Sequence, residues 1–218
     1  MRNDITQTIT AKIIESIKDS PYFSIENLKF ISEVSSGYLK IILYRLLKKG
    51  YIIRLKKGIY VSKNFINDVK NKNLLSPYLE FMAGKIYQPS YLSLDYILSE
   101  NEILTEMPKN FTLVSAKKTN ILTNNFGNFI YHKIKKSLFI GFKIKKIDNF
   151  LISKATKAKA LFDFLYLRKN LITDETYLNE LRLNLDHFNK SDKLEFNKYI
   201  SIEGSKKMQI IYNLIFKK

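Results

Sequence analysis

Apolar residues recur every four positions near the start of the chain, with Ile5, Ile9, Ile13 and Ile17 in one row and Ile14 beside them. That spacing predicts an amphipathic helix over residues 5–18, stopped by Pro21. Ser24 is a favourable cap for a short second helix carrying Ile25, Leu28 and Ile31, with Asn27 where a capping box has Glu or Gln. A third helix is predicted from Ser35 or Ser36 to about Lys49, closed by Gly50. The run YIIRLKKGIYV (51–61) then reads as two short strands about Lys56-Lys57-Gly58, a hairpin with glycine at the turn. Three helices followed by a two-stranded wing is the order of a winged helix-turn-helix.

Beyond residue 74 the pattern changes. LLSPYLEFMAGKIY (74–87) and YLSLDYILSE (91–100) predict two helices separated by Gln88-Pro89. FTLVSA (111–116), NFIYHKI (128–134), SLFIGFKIKKI (137–147) and NFLIS (149–153) predict strands. TKAKALFDFLYLRKN (156–170) predicts a long amphipathic helix, and helical segments are expected around 176–188 and 206–216. The fold class expected is α+β: an N-terminal winged helix-turn-helix over 1–66 and a mixed α+β domain over 74–218. The polar run NDVKNKN (67–73) marks the expected boundary.

Charge sharpens this division. The 218 residues hold 37 Lys and Arg against 20 Asp and Glu, a formal charge of +17, which suits a polyanionic partner. An AT-rich gene also raises lysine, so position matters more than total. From Val34 to Asn67 there are eight basic residues (Lys40, Arg45, Lys48, Lys49, Arg54, Lys56, Lys57 and Lys63) and no acid. From Lys109 to Lys159 there are twelve lysines and one acid, Asp148. Cysteine is absent, which excludes disulfides and thiolate metal sites and suits a reducing cytoplasm. The opening residues carry no apolar signal-like run, and no stretch is apolar enough for a membrane span, so a cytoplasmic location and no membrane partner are expected.

At about 100° per residue, Leu39, Ile42, Leu43 and Leu46 share one face of the third helix. Gly37, Lys40, Ile41, Tyr44, Arg45 and Lys48 fall on the other, the face that enters the major groove in a helix-turn-helix. Ser35 and Ser36 can donate to phosphate or base at the helix N-terminus, though either also serves simply as its cap. Lys40 and Arg45 can reach phosphates or guanine acceptors, and Ile41 can meet a thymine methyl. Tyr38 and Tyr44 offer hydroxyls to phosphate, and Arg54, Lys56 and Lys57 place charge on the wing. Taken singly, each lysine is an ordinary solvated side chain. Their coincidence on the two elements that would touch DNA makes the candidate interface.

The run LKIILYRLLKKGYIIRLKKGIYV (39–61) resembles the N-terminal winged helix of the AbiEi family, with Leu46 to Gly50 at the helix-ending turn and Lys57-Gly58-Ile59-Tyr60 closing the wing. PSYLSLDYIL (89–98) resembles the segment that opens that family's C-terminal domain. TKAKALFDFLYL (156–167) resembles its Pro-Glu-Lys-Ala-Leu-x-Asp-x-Leu-Tyr-Leu helix, matched at Lys159, Ala160, Leu161, Asp163, Leu165, Tyr166 and Leu167. It departs from that helix at Lys157 and Ala158. The resemblance spans roughly residues 5–170. It implies an antitoxin-type transcriptional autorepressor that binds inverted repeats in its own promoter, and a partner nucleotidyltransferase toxin of the AbiEii type.

Lys133, Lys135, Lys136, Lys143, Lys145 and Lys146 form a second candidate basic surface. The alternation of IKKSLFIGFKIKKI suggests an antiparallel sheet with Leu138, Ile140, Phe142 and Ile144 on one face and Phe139 and Lys143 on the other. Edge lysines that discourage aggregation explain it equally well. No catalytic residues, metal ligands or cofactor are expected. His132 and His187 stand far apart with no ligand spacing, GSKK (204–207) lacks the glycine and spacing of a phosphate loop, and no nucleophile elbow occurs. Asp174, Glu175 and Glu180 read as acids at a helix start rather than a metal site. Asp163, on an otherwise apolar helix, is expected to cap or to pair locally with Lys159. The alternative function is a nucleic-acid-processing enzyme, such as a nuclease targeted by the winged helix, for which no catalytic constellation is visible.

Overall fold

A computed structural model describes residues 2–32 and 34–216, with side chains for residues 9–32 and 34–216, so the reading of Ile5 lies outside the described side chains. The chain is mixed α and β with two sheets. It divides into two compact units, residues 1–79 with 123–126, and residues 80–122 with 127–218.

Unit 1 runs α1 (Arg2–Ile17), β1 (Phe23–Ser24), α2 (Ile25–Ser32), α3 (Ser36–Lys48), β2 (Ile52–Lys56), β3 (Ile59–Ser62) and α4 (Lys63–Asn71). The predicted periodicities place its core: Ile13, Ile17, Leu28, Leu39, Ile42, Leu43 and Leu46 are all buried together, with Ile9 and Ile14 half-buried against them. Asn27 does complete a reciprocal cap, its backbone N–H donating to Ser24 Oγ at 3.2 Å while Ser24 N–H donates to Asn27 Oδ1 at 2.9 Å. Gly50 takes a φ of +72° after α3, and Gly58 a φ of +84° in the β2–β3 turn, conformations that glycine reaches without Cβ strain.

Two features of unit 1 differ from the sequence reading. β1 adds a third strand, in the order β1-β3-β2, through the pair Phe23↔Tyr60, whose rings stack at 5.8 Å. The polar run expected to mark a boundary lies largely within α4, which is capped by Ser62 and buries Ile66 and Val69. Its polar residues are the solvent face of an amphipathic helix. The first turn of α5 (Leu75–Ile86) also belongs to unit 1, where the buried Tyr78 donates its hydroxyl to the Pro21 carbonyl at 2.9 Å.

Unit 2 is built on a six-stranded mixed sheet ordered β6-β7-β5-β4-β9-β8. Its strands are β4 (Ser90–Leu92), β5 (Phe111–Ser115), β6 (Asn120–Asn124), β7 (Gly127–Lys133), β8 (Phe142–Ile147) and β9 (Phe150–Ala155). β4 is antiparallel to β5 and parallel to β9, while β5 and β7 are parallel and β8 and β9 antiparallel. Its helices are α5, α6 (Leu94–Glu100), α7 (Lys157–Arg168), α8 (Glu175–Glu180), α9 (Lys190–Glu203) and α10 (Lys206–Phe216).

YLS (91–93) does not begin a helix: Tyr91 and Leu92 are strand β4, and α6 starts only at Leu94. β6 and α9 were not expected. The predicted strand 137–147 is split by a 3₁₀ turn at Lys136–Leu138 and by Gly141 at φ +78°, so the strict alternation proposed for it fails. Ile144 is 66% exposed on edge strand β8 instead of facing a core. The sheet as a whole is mixed, although β8 pairs antiparallel with β9 as the alternation suggests. Nor is α7 amphipathic, because every residue from Ala158 to Leu165 is buried.

Candidate nucleic-acid interface

α3 presents the strip that its periodicity predicts. Gly37, Lys40, Ile41, Tyr44, Arg45 and Lys48 are exposed, opposite the buried Leu39, Ile42, Leu43 and Leu46. Lys48 Nζ lies 5.7 Å from the centre of the Tyr44 ring, so charge and aromatic surface adjoin. Ser35 caps the helix, its Oγ accepting from Tyr38 N–H at 3.3 Å. Ser36 is half-buried, and Tyr38 is half-buried against the unit 1 core. On the hairpin, Arg54 and Lys57 are exposed and Lys56 is half-buried, paired in register with Ile59 beside a bulge.

Among the described residues of unit 1, ion pairing lies elsewhere. Lys18 pairs with Glu15 on α1, and Lys72 pairs with Asp68 at the end of α4 at 2.8 Å. Among the described residues, Lys40, Arg45, Lys48, Arg54 and Lys57 enter no ion pair. No acid occupies the first turn of α3, so its N-terminal dipole is uncompensated. These cations are therefore available to an external polyanion.

The lysines of unit 2 are arranged differently. Lys133 ends β7, Lys135 and Lys136 lie in the following turn, and Lys143, Lys145 and Lys146 sit on β8. All six are exposed, but β7 and β8 are separated by β5, β4 and β9, so the set does not form one strand pair. His132 on β7 is half-buried. Burial lowers its pKa, with Arg168 adding to the effect, so the folded protein favours the neutral ring.

Asp163 pairs with Lys159 as expected, but far more is assembled around it. Lys159 Nζ donates to Asp163 Oδ1 at 2.6 Å, and both side chains are 0% exposed. The other carboxylate oxygen accepts from Tyr91 OH at 3.0 Å and from Ser93 Oγ at 2.8 Å. Lys159 Nζ also lies 4.9 Å from the Phe162 ring centre and 5.0 Å from that of Tyr199. Burial pushes the Asp163 carboxyl up and the Lys159 ammonium down, each against the pull of the other charge. Tyr91 and Ser93 stand some seventy residues before Asp163, so only the i,i+4 pair was visible in sequence. At the start of α7, Thr156 caps the helix and donates to Glu195 Oε1 at 2.6 Å. Lys157, at a departure from the AbiEi-like pattern, pairs with Asp192 at 2.8 Å, and Ala158 is fully buried.

Asp174 caps α8, its side chain accepting from Tyr177 N–H at 3.0 Å. Among the described residues, no three His, Cys, Asp or Glu side chains come together as a metal site, and no helix is long and apolar enough to cross a membrane. No protein-family model matches the chain, and no curated protein is significantly similar to it. The resemblance to the AbiEi family therefore rests on the residues quoted above.

Proposed function

We propose that unit 1 is a winged helix-turn-helix domain that binds double-stranded DNA, and that the protein is a transcriptional regulator. The observation that carries this reading is the exposed strip of Lys40, Ile41, Tyr44, Arg45 and Lys48 on α3, whose cations enter no ion pair among the described residues, with Arg54 and Lys57 on the adjoining hairpin. A helix with a continuous buried face can lie in a major groove only by its opposite face. Here that face offers two long cations, a guanidinium, a phenol and an apolar residue, a set suited to phosphates, guanine edges and thymine methyls. Ser35 acts through the cap that orients α3, and Tyr38 through its packing beneath the helix.

The AbiEi resemblance supports a narrower version of the proposal. In it, the chain represses its own promoter at inverted repeats and counteracts a nucleotidyltransferase toxin encoded beside it. Unit 2 would then be the antitoxin-type region.

Three single variants test the interface. Lys40→Ala and Lys57→Ala, as phosphate contacts, are expected to weaken binding alike on all sequences and to reduce the salt slope by about 0.9 each. Arg45→Ala, as a base contact, is expected to cost about 1–3 kcal/mol and to relax preference at one operator position. Fluorescence anisotropy on operator DNA measures each, with Lys190→Ala on α9 as a control that leaves affinity unchanged. Unaltered affinity in all three interface variants would falsify the placement of DNA on α3.

A further inference from the structure

Within unit 2, a cavity of about 360 Å³ opens beside the start of β4, large enough for a small ligand. We propose that it binds a nucleotide: a nucleobase against aromatic side chains, with its phosphate toward Lys85.

The strongest sign is a hydroxyl. Ser90, only 9% exposed, lines this cavity, and its Oγ is the one buried side-chain oxygen or nitrogen among the described residues that makes no hydrogen bond. Its neighbours show that the fold satisfies such groups wherever it has a partner for them. Ser93 Oγ donates to Asp163 at 2.8 Å, and Ser115 Oγ donates to the Pro89 carbonyl at 2.7 Å. An orphaned buried hydroxyl is a standing cost that a ligand atom can remove.

The rest of the lining narrows the ligand class. Phe81 on α5 forms one wall and Phe139 with Phe142 another, the last two with ring centres 5.4 Å apart. Phe81 is buried, so the half-buried Phe139 and Phe142 offer the surface for stacking by any base. Gln88, exposed at the rim, presents an amide donor and acceptor that match the edge of a nucleobase, and its side chain makes no hydrogen bond among the described residues. The lining also holds a cation. Lys85 Nζ sits 5.3 Å from the Phe81 ring centre and enters no ion pair among the described residues. Glu80, the acid in the lining, is held by Lys154 at 2.8 Å, a lysine it shares with Glu100 at 2.9 Å, and accepts from Tyr96 OH at 2.9 Å. Aromatic walls, an amide edge, an unsatisfied hydroxyl and a free cation together describe a site for a planar, hydrogen-bonding, anionic molecule. The proposal is independent of DNA binding by α3.

Calorimetric titration of the full chain with the nucleoside monophosphates, with short single-stranded oligonucleotides and with inorganic phosphate tests it. At least one nucleotide is expected to bind saturably while inorganic phosphate does not. Ser90→Ala and Lys85→Met, which retains the aliphatic stem, should each weaken that binding about tenfold, equivalent to 1.4 kcal/mol. Ser90→Ala should also leave the unfolding temperature of the ligand-free protein unchanged or raised, because it removes an unpartnered group. A mononucleotide binding more tightly than the oligonucleotides identifies a free nucleotide as the occupant, and the reverse identifies a strand, both supporting the site. The proposal is overturned if nothing binds up to about 1 mM, if phosphate binds as well as the nucleotides, or if neither variant alters binding. It is equally overturned if Ser90→Ala clearly lowers the unfolding temperature.

Discussion

Replacing Asp163 with Asn is expected to destabilise the protein by about 3–5 kcal/mol, the usual cost of leaving one member of a buried ion pair uncompensated. The carboxylate is fully buried, with Lys159 on one oxygen and Tyr91 and Ser93 on the other. Asn matches its shape but supplies no negative charge, so the Lys159 ammonium stays buried without its paired carboxylate, left with an amide, two aromatic faces and the more distant charge of Glu195. Lys159→Met should cost a comparable amount by stranding the carboxylate. The double variant Lys159→Met/Asp163→Leu removes both charges and is expected to lose clearly less than the sum of the singles, because apolar replacement of a buried pair is often nearly neutral. For a chain of this size the single variants should lower the melting temperature on the order of 10 °C. Calorimetry on the four proteins of the cycle measures this. Single variants within a few tenths of a kcal/mol of wild type would show that the pair is not the centre of unit 2.

The second large effect is expected at Gly141. Its φ of +78° already disfavours any side chain, and a Cβ built there would stand 2.2 Å from Tyr199 Oη and 3.0 Å from Lys159 Cδ. Neither neighbour can move cheaply. Tyr199 donates its hydroxyl to Glu195 Oε1 at 2.5 Å, and Lys159 is held by Asp163. Gly141→Ala should therefore combine backbone strain with overpacking, about 3 kcal/mol or more in total. Gly204 gives a matched comparison, since its φ is +79° and nothing lies within 4 Å of its notional Cβ. Gly204→Ala is expected to cost only the strain, about 1 kcal/mol. Urea unfolding of both variants separates the contributions, and equal losses would contradict the packing account.

These two positions also show what the sequence could and could not convey. Local periodicity and capping made α3 readable, because its apolar face, its Ser35 cap and Gly50 all lie within one stretch of chain. The i,i+4 spacing of Lys159 and Asp163 was equally local. Their burial was not, since it comes from packing α7 against α6 and α9, elements distant in sequence, as well as the neighbouring β9. That packing hid the exposed face that an amphipathic reading requires. β1 escaped notice because two residues become a strand only by pairing with β3. Tyr91 and Leu92 looked helical because β4 is buried on both sides and shows no alternation. α9 had a readable signal in the capping box of Asn189 and Asp192. In the candidate interface, the exposed cations were legible from charge and helical phase. The Ser90 cavity was not, because α5, β4, β8 and β9 each supply only part of its lining.

If α3 and its hairpin read a particular DNA sequence, the protein must discriminate between duplexes of equal length and charge. The most direct test is binding of the purified full chain to the DNA upstream of its own gene and to a scrambled duplex of equal length, titrated from about 50 to 200 mM salt. Preference for the upstream DNA by about 10³ or more is expected, persisting at the higher salt as the affinity for scrambled DNA falls away. Equal, steeply salt-sensitive binding to both duplexes would contradict it, leaving the charge of unit 1 as a non-specific attraction.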